Sequence, residues 1–226
     1  MRRISPAQIA TFLTLALVAL LGGALLAAHT VGRLPLGEYR AIAVVATALI
    51  AIDLLAILCY RLFLLACPLQ AGDIPPGSGQ EFVYHVHVLF YLMCFYPVIR
   101  SGFLPAPLMR LYYQALGARL GENTYSQGIL HDALFIRIGA NSTVGQSALL
   151  IPHQIEGSKL SHWPIEVGDH VTVGANAVVL AGVSIGDGAL VAAGAVVPKG
   201  TRIGAGEVWG GVPARCLRPR PGGEGG

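Results

Sequence analysis

Histidine is the side chain whose unperturbed pKa lies closest to neutrality, so a fixed imidazole is the first place to look for proton-transfer chemistry. Seven histidines occur here, and His153 stands out by its place in a repeat. From Val167 to Ala214 the chain divides into eight six-residue units with a first position of Val, Val, Val, Ile, Val, Val, Ile, Trp. The second position is mostly Gly, the fourth is His, Asn, a run of Gly and then Val, and the fifth is mostly small or branched. Upstream, IGANST and VGQSAL keep the register and LIPHQI continues it, which puts His153 at a fourth position, a corner. The 17 residues from Leu150 to Val167 equal two units plus five, so a loop near Glu156–Leu160 is expected to leave the repeat just after His153. Counting eighteen plus five from His153 reaches Asn176, which is expected to stack over it. Glu156 is placed to orient His153, and His162 is the rival base, beside a pocket wall of Trp163 and Pro164. His131 is a weaker candidate in an irregular unit, and His170, inside regular repeats, is read as structural.

Six residues fit a short strand and a tight bend. The first and fifth positions point inward, and the fourth takes a positive φ that Gly and Asn tolerate. Three units close a triangular coil, and successive coils hydrogen-bond at about 4.8 Å. General crossover preference favours a right-handed coil. The repeat instead resembles the hexapeptide-repeat acyltransferases, over Leu120–Leu217. LIPHQIEG and the closing WGGVPAR are similar to the xenobiotic-type acetyltransferases and to the membrane-linked β-helix domains of polylysine-synthetase-like enzymes. That resemblance implies a mainly β fold, a left-handed parallel β-helix of hexapeptide repeats, and the apolar stretches before it are read as an α-helical transmembrane hairpin and interfacial helices. It also implies a homotrimer with sites between subunits and acyl-CoA, by default acetyl-CoA, as co-substrate, with no metal. His153 becomes the general base, with no covalent intermediate. Gly174, Ala192, Gly210 and Gly211 become the lining of the pantetheine arm, and Lys199, Arg202 and Arg215 the nearest cations for its phosphates. Trp209, in place of an aliphatic, is read as a cap on the last coil.

The rest of the chain is unusually apolar. Of 226 residues, 54% are hydrophobic and 12% charged, with a mean hydropathy of +0.63. A net charge of +3 without basic runs excludes a nucleic-acid surface. Four cysteines without a CxxC spacing exclude a disulfide framework and fit a reducing compartment. The excess hydrophobicity lies before Gly121. Ile9–Ala28 and Ala41–Tyr60 each suffice to span a bilayer. Asp53, in the second, is read as an interhelical or water-facing residue. A Pro/Gly linker follows, then the apolar stretch Phe82–Ile99 with His85 and His87. These two are read as an interfacial pair, the alternative being a metal or a lipid phosphate. Pro105–Gly117 is an amphipathic surface helix. The expected division is 1–67 two transmembrane helices; 68–119 linker, re-entrant or interfacial segment and amphipathic helix; 120–216 β-helix; 217–226 disordered tail.

Arginine placement favours two spans, with Arg2, Arg3, Arg61, Arg100, Arg110 and Arg119 inside. The expected location is a bacterial inner membrane, with the β-helix on its cytoplasmic side, among membrane lipids. The function this implies is acyl transfer to a hydroxyl or amine of an amphipathic or lipid-linked acceptor. Two other classes share the fold: a γ-carbonic-anhydrase-like metal lyase, whose histidine spacing His131, His153, His162 and His170 do not match, and a trimeric membrane scaffold without catalysis.

Overall fold

A computed structural model describes residues 2–219 and divides the chain into two compact units. One comprises Met1–Leu69 with Pro76–Val98, the other Gln70–Pro75 with Ile99–Gly226.

The first unit is helical. Helix α1 (Pro6–His29) opens on a capping box, in which the Ser5 hydroxyl accepts from the Gln8 amide and the Gln8 side chain accepts from the Ser5 amide, with Pro6 in the first turn. Helix α2 (Arg40–Ala66) packs against it. At Gly23 a Cβ would lie 2.6 Å from the Ile52 nitrogen, so only glycine lets the two backbones approach this closely. A strand, β1 (Gly72–Asp73), precedes α3 (Gly79–Phe90). A π-helical stretch, Tyr91–Phe95, then joins α3 to α4 (Tyr96–Arg100). The helical run Gly79–Arg100 is therefore continuous. Among the described residues it joins Pro6–Arg33 and Gly37–Ala66 as a third segment long and apolar enough to cross a membrane. His85 and His87 are buried inside the helical unit. His85 Nδ1 lies 3.1 Å from Gln8 Oε1, and His87 Nδ1 lies 2.9 Å from the Tyr60 hydroxyl. One ring nitrogen of each histidine is thus engaged by another helix of this unit.

The second unit is a three-sided parallel β-helix. Helix α5 (Ala106–Leu116) leads into it and ends on Gly117 at φ +117. The first coil is β2 (Arg119–Leu120), β3 (Tyr125–Ser126) and β4 (Ile129–Leu130). The second is β5 (Ile136–Ile138), β6 (Thr143–Val144) and β7 (Leu149–Leu150). A hairpin, β8 (His153–Glu156) and β9 (Lys159–His162), then leaves the coil. The third coil is β10 (Ile165–Val167), β11 (Thr172–Val173) and β12 (Val178–Val179). The fourth is β13 (Ser184–Ile185), β14 (Leu190–Val191) and β15 (Val196–Val197). The last has β16 (Arg202–Ile203) and β17 (Val208–Gly211), and β18 (Ala214–Arg218) folds back antiparallel on β17. Leu217 and Arg218, assigned to the tail by sequence, are thus paired strand; residues 220–226 lie outside the described residues.

The core follows the repeat. First-position Val167, Val173, Val179, Ile185, Val191, Val197 and Ile203 are buried, as are fifth-position Val171, Ala177, Val183, Ala189 and Ala195. Every fourth position from His170 to Gly206 has φ between 56 and 73°, the left-handed conformation that turns a corner. Trp209 is half-buried, and its indole nitrogen donates to Glu207 at 2.8 Å.

Register exposes one error in the phase count. Ile138 pairs with Val167 and Leu150 with Val179, spacings of 29 rather than 18. Eleven residues are therefore extruded, not five. Phase arithmetic cannot separate five from five plus a whole unit. The unit counted as coil, LIPHQI, instead turns outward after Pro152 into strand pairing closed by Gly157–Ser158.

The glycines sort by cause. A Cβ on Gly174 would lie 2.4 Å from the Ala193 nitrogen of the next coil, whereas around Gly188, at φ +66, nothing lies within 4 Å. Gly174→Ala should lower stability by about 1–3 kcal/mol or more. Gly188→Asn should be near neutral, because Asn176 already holds the same corner conformation at φ 57. Thermal melts of the two variants check this; equal losses would contradict it.

Candidate active site

The two breaks in the repeat stack at one corner. The first coil leaves β4 through His131 and Asp132 into a 3-10 turn, Ala133–Phe135; the second leaves β7 into the hairpin. Leu130 pairs with Leu150, and the His131 amide donates to the Leu150 carbonyl at 3.0 Å. Asp132 takes φ +42, its carbonyl accepting from the Phe135 amide at 2.8 Å, which turns its carboxylate inward. Its side chain is only 5% exposed, and its Oδ2 lies 2.5 Å from His153 Nδ1 and 3.8 Å from His162 Nε2.

The hairpin sets His153 directly opposite His162. The His153 ring lies 5.8 Å from that of His131 and 6.4 Å from that of His162, edge to face in each case. Phe135 stacks on His162 at 4.7 Å and 20°. His162 is fully enclosed while the His153 side chain is 32% exposed, so of this cross-strand pair His153 is the one open to a reactant.

A carboxylate only accepts, so Nδ1 of His153 carries the proton of the short bond, and Nε2 of the neutral ring holds the lone pair. Burial pulls the His153 pKa down, but the hydrogen bond and the charge of Asp132 outweigh it, and the net shift is upward. For His131 burial dominates and the charge of His153 adds to it against Asp132, so its pKa falls. Two adjacent imidazoles are thereby pushed apart, His153 toward holding a proton and His131 toward neutrality.

The other residues singled out by sequence fall elsewhere. Asn176 does not stack over His153. Its amide donates to the Gln146 carbonyl at 3.0 Å, at a different corner, because the insertion is eleven residues long. Glu156 does not orient His153 either. It is exposed and pairs with Lys199 at 2.6 Å, which holds its carboxyl below its usual value, and strand alternation turns it away from His153. The carboxylate bonded to His153 is Asp132, which the sequence reading missed. The signal was present: both departures from the six-residue phase flank one corner in successive coils, and the first contains His131-Asp132. Of the residues assigned to the coenzyme, Gly174 is a close coil-to-coil contact and Lys199 is engaged by Glu156. Ala192 is half-buried and Gly210 buried beside Leu217. Gly211 and Arg202 are exposed, and Arg215 donates to the Ala214 carbonyl at 2.9 Å. His170 occupies an exposed corner of a regular coil at φ 56.

Residues 164–199 match the family model described as the hexapeptide repeat of succinyl-transferase. No curated protein matches the chain. A hexapeptide-repeat-containing acetyltransferase from Vibrio cholerae is 29% identical over 45% of this chain and 62% of its own, with a TM-score of 0.42. A maltose O-acetyltransferase from Clostridium difficile is 24% identical over 47% of this chain and 61% of its own, TM-score 0.43. A galactoside acetyltransferase in complex with coenzyme A is 26% identical over 45% of this chain and 55% of its own, TM-score 0.40. The chain thus spans about three fifths of the length of the first of these solved relatives. The matched hexapeptide repeat lies within the coil, over residues 164–199, and over less than half its length the chain is similar to solved hexapeptide-repeat acetyltransferases.

Proposed function

We propose that the chain is a membrane-anchored acyltransferase that moves an acyl group, by default acetyl, from acyl-CoA to a hydroxyl or amine of an amphipathic or lipid-linked acceptor. The observation that carries this reading is the Asp132–His153 pair, a half-exposed imidazole held by a buried carboxylate where the coil breaks. Nε2 of His153 takes the proton from the acceptor O–H or N–H as that atom attacks the thioester carbonyl. The C–S bond breaks, and the proton passes to the departing thiolate, giving the coenzyme thiol and an ester or amide. Asp132 keeps Nδ1 protonated and stabilises the imidazolium formed on the way, and a base so placed is worth roughly 10²–10⁴ in rate. Acyl-CoA as donor and a homotrimer with sites between subunits follow the resemblance of the repeats. Of the residues assigned to the coenzyme, Arg202, Gly211 and Arg215 are exposed and Ala192 is half-buried.

The membrane reading rests on the apolar helices. Arginine placement favours two crossings, and with Arg2 and Arg3 inside, the β-helix is cytoplasmic.

His153→Gln should reduce acyl transfer about 10²–10⁴-fold and leave coenzyme binding intact; retained turnover would overturn the assignment. A reporter fused after Arg218 should read as cytoplasmic, and a periplasmic readout would overturn the two-crossing topology. The raised pKa of His153 also predicts a stability trend. A group whose pKa is raised by folding contributes stability that is complete below its unfolded value and is lost as pH rises through the folded one. The melting temperature of the wild type relative to Asp132→Asn should therefore fall as pH rises from below the ordinary histidine value to above it. A constant or widening gap would contradict the charged pair.

A further inference from the structure

We infer that the linker strand β1 is a positioning element for His153, so that the segment between the second and third helices acts on the proposed base through main-chain hydrogen bonds. The inference rests on the proposed role of His153. The extruded hairpin belongs to a three-stranded sheet in the order β1, β9, β8. Gly72, His162 and His153 form one cross-strand row, with Asp73 opposite Ser161. The Ile74 amide donates to the Leu160 carbonyl at 2.8 Å, and Ile74 is buried at 2% exposure. Gly72 has φ +115 with nothing within 4 Å of a Cβ, so the backbone conformation, not space, calls for glycine there.

A lone two-stranded hairpin is marginal in water, and a third strand is what makes such a sheet persist. The outer part of this hairpin is exposed, Ile155 to 63%, and the Glu156–Lys199 pair there lies in solvent. Surface pairs of this kind contribute little. At the base, the 2.5 Å bond between His153 and Asp132 tolerates little misplacement, since an error near 1 Å costs on the order of a hundredfold in rate. The strand that holds β9 from its other side is therefore what keeps β8 in register with Asp132. In chain order β1 is the segment between α2 and α3, and it belongs to the same compact unit as the site.

The test uses the full-length chain in detergent. Carbethoxylation of His153 by diethyl pyrocarbonate, followed by mass spectrometry across pH, reports the pKa of that imidazole without any acceptor. Three variants are compared with the wild type: Ile74→Pro, which deletes the donor to Leu160; Ile74→Val, which keeps it; and a chain with 70–75 replaced by six Gly and Ser residues. In the Pro and Gly/Ser chains the modification midpoint should fall toward the ordinary histidine range. Turnover should fall tenfold or more, with KM for acyl-CoA within about twofold. The Val variant should match the wild type. Wild-type midpoint and turnover in the Gly/Ser chain would overturn the inference. If no variant or wild-type chain transfers an acyl group, the proposed function fails, while a shifted midpoint still supports positioning by β1. Should both disrupted chains unfold, hydrogen exchange in the wild type decides. Protection of Ile74 and 159–162 equal to that of the coil core supports β1; rapid exchange there overturns it.

Discussion

Each coil is held to the next by main-chain hydrogen bonds between parallel strands, and this stacking constrains everything else in the β-helix. It locks residues eighteen apart into register wherever the six-residue unit is intact, as at Val167–Ile185 and Ile185–Ile203. It forces glycine where one backbone rides on another, as at Gly174, and a left-handed corner at the fourth position of each unit from His170 to Gly206. A departure from six residues cannot be absorbed within a coil. It must be pushed out at a corner, and a departure in the neighbouring coil at the same corner is pushed out beside it.

The candidate site is the product of two such departures. The short 3-10 turn in the first coil buries Asp132, and the hairpin from the second brings His153 and His162 over it. Strand pairing makes the two histidines unequal although they lie opposite one another. Phe135 closes over His162, and His153 keeps an open nitrogen. Their shared carboxylate then raises the pKa of His153 while burial lowers that of His131. The rigid coil supplies the frame, and the irregular corner supplies the polar groups that a strict repeat has no room to bury.

The β-helix was legible because its physics is local and periodic: inward first and fifth positions and a positive φ at the fourth leave a mark every six residues. His153 was legible as the histidine next to the break. Its environment was not, because phase arithmetic is blind to whole units. An insertion of eleven read as five, and that error moved Asn176 to the wrong corner and kept Glu156 near a histidine it turns away from. Asp132 escaped notice because its role comes from a stacked neighbour rather than from its own spacing. In the helical part, composition marked the apolar segments, but the pairing of Gly72 and Asp73 with β9 is a long-range contact with no periodic signature.

The proposed chemistry requires that Asp132 hold His153 as a base with its proton on Nδ1. Nitrogen-15 NMR of histidine-labelled protein, titrated alongside the rate of acetyl-CoA consumption, reads this directly. The account predicts that the His153 ring carries its neutral-state proton on Nδ1, titrates above the ordinary histidine value, and shares its midpoint with the acid limb of the rate. A neutral ring protonated on Nε2, or a rate whose midpoint is independent of His153, would contradict it.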